Sequence, residues 1–162
     1  MIDFLIRRAR PSDAPVLARI GHDAWQRGIA TDLPDTTKER ASPEAFASFV
    51  ADQSNNILVA ETRTEVLGFV ATADGENRIS DLWVTRPNEG KGIGSHLLAE
   101  IEADLKRKGF DAARIEVMTS NTRAIGLSRY RGYHETARGM RMDRVLALPL
   151  HKTELSKRLL SD

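Results

Sequence analysis

The sequence of 162 residues contains no cysteine. That absence excludes disulfide frameworks, thiolate zinc sites and any mechanism that passes through an acyl-cysteine. Group transfer, if it occurs, is direct or uses another nucleophile. An excess of either charge is also missing, because 24 Lys and Arg face 23 Asp and Glu, for a formal net charge of +1. Such a balance does not suit a general nucleic-acid binder. No apolar run approaches the ~18 residues that would span a bilayer. The segment Met1 to Arg8 lacks the basic region, apolar stretch and small-residue cleavage site of a secretion signal. A soluble, cytoplasmic protein with neither nucleic acid nor membrane as partner is expected. The four histidines, His22, His96, His134 and His151, show no ligand spacing, so no metal is expected. What is present is 41% hydrophobic residues without repeats or linkers. This composition predicts a single domain over residues 1–162, large enough to bury about two-thirds of its unfolded surface.

Phe4 to Ala9 reads as a strand, and Pro11-Ser12-Asp13 as a stop and an N-cap for the helix that follows. Val16, Leu17, Ile20, Ala24 and Trp25 then recur at helical spacing up to Gly28. A polar loop from Ile29 to Ala41 follows. Ser42-Pro43-Glu44 opens a second helix with Phe46, Phe49 and Val50 inward, closed by Asn55-Asn56. Ile57 to Ala60 and Val66 to Ala71 form a hairpin covered on both faces, and Ile79 to Val84 is a fourth strand. The clearest helix runs from about Gly92 to Lys108, with Ile93, Leu97, Leu98, Ile101 and Leu105 on one face and Gly109 as its left-handed stop. Ala113 to Met118 is a fifth strand, and a short helix spans Thr122 to Arg131. Tyr133 to Arg138 and Met140 to Leu148 read as a hairpin turning at Arg138-Gly139, with 149–162 a polar tail. The order of elements predicts a mixed α/β fold, one sheet with helices on both faces.

The segment Glu89-Gly90-Lys91-Gly92-Ile93-Gly94-Ser95 lies between a strand and a helix. Glycines at alternating positions permit a tight turn and leave backbone N–H groups unobstructed at the positive end of the helix dipole, which suits phosphate. A P-loop would place Ser or Thr after the lysine, where Gly92 stands. The dinucleotide fingerprint needs Gly-x-Gly-x-x-Gly, and the spacing here differs. A glycine-rich turn that only starts a helix is the plain alternative.

Leu82-Trp83-Val84, Gly90-Lys91-Gly92-Ile93-Gly94 and Leu97-Leu98 together resemble the acetyl-CoA signature of the GCN5-related N-acetyltransferases, Gln/Arg-x-x-Gly-x-Gly/Ala. Asn121, Ala124, Ile125, Leu127 and Gly132-Tyr133 are similar to that family's second motif. The resemblance implies a mostly antiparallel sheet splayed between its fourth and fifth strands and acetyl-CoA as cofactor. Its pyrophosphate would lie on Glu89, Gly90, Lys91, Gly92, Ile93, Gly94 and Ser95. Its pantetheine arm would pair with Leu82, Trp83 and Val84, whose backbone would offer an oxyanion donor. Asn121 would bond cofactor or substrate, cap a helix, or both. His96 reads either as a cofactor contact or as a solvated helix position. The chain departs from the signature at Glu89, which brings a negative charge to the phosphates. Arg86, Lys91 or another basic residue would compensate.

Attack on a thioester requires an unprotonated amine, and hence a carboxylate to take its proton. The resemblance implies Glu116 for this role, and Asp81 on the neighbouring strand is the competitor. Ion pairing of Glu116 with Arg114 or another arginine is the structural alternative. At the family's acid position, four residues before Gly132, stands Ser128. Tyr130 follows two residues later, rotated by about 200° on a helix. The reading is direct acetyl transfer to a primary amine, favouring a small molecule over a protein N-terminus because Arg138-Gly139 turns tightly. Trp25 and the acidic Asp32 and Asp35 would border the acceptor. A non-catalytic acyl-CoA sensor is the alternative reading, a nucleotide-binding regulator a third, and a homodimer is plausible from the resemblance.

Overall fold

Seven strands and four α-helices follow one another in the computed structural model, which describes residues 3–28, 42–73, 75–143 and 147–159. The strands are β1 (Leu5–Arg8), β2 (Ile57–Glu61), β3 (Val66–Thr72), β4 (Arg78–Val84), β5 (Ala112–Met118), β6 (His134–Asp143) and β7 (Leu148–Arg158). The helices are α1 (Ala14–Gly28), α2 (Pro43–Gln53), α3 (Ile93–Arg107) and α4 (Thr122–Tyr130). The loop read over Ile29 to Ala41, with Asp32 and Asp35, lies outside the described residues, as does Asp74 of the expected turn.

The strands form one sheet in the order β1-β2-β3-β4-β5-β7-β6. All neighbours are antiparallel except β4 and β5, which α3 joins as a parallel crossover. Alternation along β2 builds the two faces of the core. Leu58 and Ala60 join Leu97, Leu98, Ile101 and Leu105 of α3. Ile57 and Val59 join Leu17, Ile20 and Val50 of α1 and α2 on the other side. The hairpin of β2 and β3 is thus buried on both faces, as its continuous apolar runs predict. Ser42 caps α2 through its side chain, which accepts from the Ala45 N–H at 3.2 Å. No helix among the described residues is long and apolar enough to cross a membrane.

Three expectations are corrected. Pro11-Ser12-Asp13 is not a bare stop and cap, because it forms a short 3-10 turn (Pro11–Asp13) that leads into α1. The Asp13 carboxylate accepts from the Arg10 N–H at 2.7 Å while Arg7 grips both oxygens. No turn occurs at Arg138-Gly139, since β6 runs unbroken through both residues. Residues 149–162 are not a tail, because most of the segment is β7, inserted between β5 and β6. The reason is a strand whose two faces are both satisfied, one by packing and the other by charge. Thr153 and Leu155 are buried, whereas Lys152 and Glu154 pair with side chains on β5 and β6. A strand with an ion-paired face carries the same letters as a solvated segment.

Candidate active site

The register between β4 and β5 consists of only Arg78↔Arg114 and Ile79↔Ile115. Both strands continue, β4 to Val84 and β5 to Met118. A register shift in β4, where Ile79 opposes Thr72 but Asp81 opposes Ala71, leaves Ser80 as an extra residue. Such a bulge re-aims the following side chains and ends pairing. Leu82 and Val84 pack toward α3, while Trp83 packs toward α1 and α2. Two cavities flank the parting of the strands, and Leu82, Trp83, Asn121 and Ala124 line both.

The larger is a groove of about 830 Å³ beside the glycine turn. Gly90 and Gly92 have φ of 76° and 85°, a left-handed backbone that favours glycine. Gly92 stands at the N-cap of α3, so the turn delivers its N–H groups at the positive end of a fifteen-residue helix. Gly90, Gly92, Ile93, Gly94 and Ser95 line the groove together with Glu89, Arg86 and Arg123. Lys91 is exposed and outside the lining. The carboxylate at the departing position is partnered, because Glu89 forms an ion pair with Arg123 in the first turn of α4. Arg123 carries no sequence signal of its own, since only folding brings it to Glu89. His96 is exposed and braces the turn, its Nδ1 2.7 Å from the Gly92 carbonyl and its ring edge-on to Phe4. A carbonyl only accepts, so Nδ1 carries the proton there. Asn121 caps α4 by accepting from the Ala124 N–H at 3.1 Å.

The smaller cavity, about 120 Å³, lies between the parted strands and brings Asp81, Glu116, Ser128 and Asn121 together. The two carboxylates have different surroundings. Asp81 receives hydrogen bonds from the Ser80 hydroxyl at 2.8 Å and the Trp83 indole at 3.2 Å. Burial pushes its carboxyl above the usual range; the two hydrogen bonds and Lys152 pull it back, and Asp143 reinforces the rise. Glu116, with a side chain only 8% exposed, is surrounded by Arg78 at 3.5 Å, Lys152 at 3.6 Å and Arg141 at 3.9 Å. Arg114 pairs instead with Glu154 at 3.8 Å. Ser128 is buried, and its hydroxyl donates to the Ala124 carbonyl at 2.7 Å, which leaves its lone pairs to accept. Tyr130 is 84% exposed and lines the groove rather than this cavity. Lys152 and Asp143, also in the lining, escape a sequence reading that makes their segments a tail and a hairpin end. Among the described residues there is no cluster of ligands fit for a metal ion.

Residues 22–133 match a family model described as the acetyltransferase (GNAT) family. Solved structures of similar fold include a GCN5-related N-acetyltransferase from Rhodopseudomonas palustris. It is 20% identical with a TM-score of 0.76, over 98% of this chain and 97% of that one. The PaiA N-acetyltransferase of Thermoplasma acidophilum, in complex with coenzyme A, is 19% identical with a TM-score of 0.73, over 97% and 99%. YncA of Salmonella typhimurium, with its cofactor acetyl-CoA, is 20% identical with a TM-score of 0.70, over 99% and 96%. No curated protein matches the sequence.

Proposed function

From the premise that the chain belongs to the GNAT family of N-acetyltransferases, we propose that it moves an acetyl group from acetyl-CoA to a small primary amine, with Asp81 as the base. The observation that carries this reading is the pair of cavities sharing a wall at the parting of β4 and β5. One offers a phosphate cradle and the other a carboxylate with a raised pKa.

The groove fits the cofactor on its own geometry. A Cβ built on Gly90 meets no protein atom within 4 Å, so the turn stays open where an anion would approach. Main-chain donors carry most of the charge recognition, with Arg86 and Arg123 beside them. The backbone of Leu82 to Val84, which β5 does not pair, offers the strand edge along which an extended arm can lie. When bound, acetyl-CoA supplies an activated acyl carbon and a thiol leaving group.

The protein's part is positioning and proton handling. Asp81 takes one proton from the acceptor ammonium, and the freed lone pair forms the C–N bond as the C–S bond breaks. The second proton on that nitrogen passes to the departing sulfur, and Ser128 is placed to hold the water that carries it. A main-chain N–H on the edge of Leu82 to Val84 that β5 does not pair stabilises the developing oxyanion, a contribution worth roughly 3–4 kcal/mol where such donors have been removed. Glu116, held by three cations, is a structural carboxylate in this reading, and exposed Tyr130 has no part in it. The preference for a small amine rests on the 120 Å³ cavity, since Arg138-Gly139 lies within β6 and makes no turn.

Release of free thiol from acetyl-CoA, followed across a panel of amines, tests the reading. Saturable release with some amine supports it. Saturable binding without release from any acceptor favours the acyl-CoA sensor, and thermal stabilisation by ATP or NAD but not by acetyl-CoA favours the nucleotide regulator. A further expectation concerns the departing position. Glu89→Gln removes a negative charge from the phosphate side and releases Arg123, so KM for acetyl-CoA falls about 3- to 10-fold, less at high salt. A KM that stays or rises in a steady-state titration contradicts that role for Glu89.

A further inference from the structure

The smaller cavity passes between the parted strands, and its two ends differ. Side chains alternate along a strand. On β5, Ile115 and Val117 therefore pack with α3, while Glu116 and Met118 face the other way, toward Lys152 and the cluster of Trp25, Phe46 and Leu150. On β4 the extra residue at Ser80 breaks the alternation, so that Ile79 and Leu82 share the α3 side. That end of the cavity is walled by Ile79, Leu82, Ile115 and Val117. Ala124 and Ser128 complete it from α4, whose Ile125 packs into the same cluster. The floor is the last pair that β4 and β5 make: Ile79 stands opposite Ile115, the two only 2% and 4% exposed, and beyond them the strands part. The groove of the glycine turn opens on this same side, between the first turns of α3 and α4. An extended arm laid along β4 from Val84 to Leu82 points its end toward Ile79, three residues further and about 10 Å of strand at most.

We propose that the Ile79–Ile115 pair is the stop that sets the length of the acyl group, so that the cavity takes acetyl and propionyl groups and has no room for butyryl or longer ones. This rests on the N-acetyltransferase reading above and adds the residues that choose the acyl donor. The cavity holds about 120 Å³ in all, and the acceptor amine takes part of it. Close packing leaves the two isoleucines little freedom to give way, because both are built into the core with Leu97, Leu98 and Ile101 of α3. The selection is steric and does not depend on the charged groups at the other end of the cavity.

Isothermal titration calorimetry of the intact protein, without an acceptor, tests this with coenzyme A and its acetyl, propionyl, butyryl and hexanoyl thioesters. Burial of one methylene is worth about fourfold in Kd. In the wild type, Kd is expected to tighten by about that factor from acetyl-CoA to propionyl-CoA, and butyryl-CoA to bind at least 5-fold more weakly than propionyl-CoA. Ile79→Ala moves this break by at least one carbon, so that butyryl-CoA binds at least as tightly as propionyl-CoA. The double variant Ile79→Val, Ile115→Val removes one methylene from each side of the pair and disturbs the core less. It gives the same gain for butyryl-CoA but not for hexanoyl-CoA. Ile101→Val, at an equally buried isoleucine outside the lining, is the control and leaves the break where it was. A wild-type series without a break, or a break that both sets of isoleucine variants leave in place, overturns the stop while leaving the acetyltransferase reading intact. Failure of coenzyme A and all its thioesters to bind overturns both.

Discussion

Asp81→Asn is expected to lower kcat by about 100- to 10,000-fold, the range by which a positioned general base accelerates proton transfer, while KM for acetyl-CoA stays within about twofold. The pH dependence separates this role from a packing defect. Asp81 must be ionised to accept the proton, and burial raises the pH at which it ionises. Activity therefore falls as the pH drops through that raised value, and the wild-type profile carries an acidic limb from it. Asn does not titrate, so the limb disappears from the residual activity, while the rise due to deprotonation of the free amine at higher pH remains. The groups facing Asp81 that set this value are Ser80, Trp83, Asp143 and Lys152. Glu116→Gln is the control. It leaves Arg78, Lys152 and Arg141 facing one another without their shared anion. Thermal stability then falls and the acidic limb stays. An acidic limb lost in Glu116→Gln and kept in Asp81→Asn would reverse the assignment.

Gly92→Ala is expected to act on the cofactor alone. The φ of 85° at this N-cap costs an L-residue roughly 1–2 kcal/mol, which is about a 5- to 30-fold change in an equilibrium constant. Relief of that strain swings the Gly92 peptide, and with it the hydrogen bond from His96 to its carbonyl and the direction of the neighbouring N–H groups. KM for acetyl-CoA rises by that factor in a steady-state titration, and kcat at saturating cofactor changes less than about threefold. An unaltered KM would mean that the turn does not hold the phosphates.

The groove beside the glycine turn is legible in the sequence because main-chain geometry builds it. Alternating glycines between a strand and a helix have few other uses, and the helix after them announces itself through Ile93, Leu97, Leu98, Ile101 and Leu105. The smaller cavity is not legible in the same way, because side chains distant in sequence build it. Asp81 and Glu116 are singled out by lying on central strands, yet the three cations that hold Glu116 come from distant positions and leave no mark beside it in the sequence. Lys152 and Asp143 lie in segments whose letters look like a tail and a hairpin end. Gly139 looks like a turn, but it pairs with Lys152 inside β6. Charged residues on β7 look solvated, yet they complete the ion network over β5.

A crystal structure of the protein with coenzyme A bound tests the central claim most directly. The account predicts the pyrophosphate on the N–H groups of residues 90–95, the arm along Leu82 to Val84, and the thiol at the wall the two cavities share, nearer Asp81 than Glu116. Coenzyme A bound elsewhere, or a thiol that points away from the cavity between the parted strands, would contradict it.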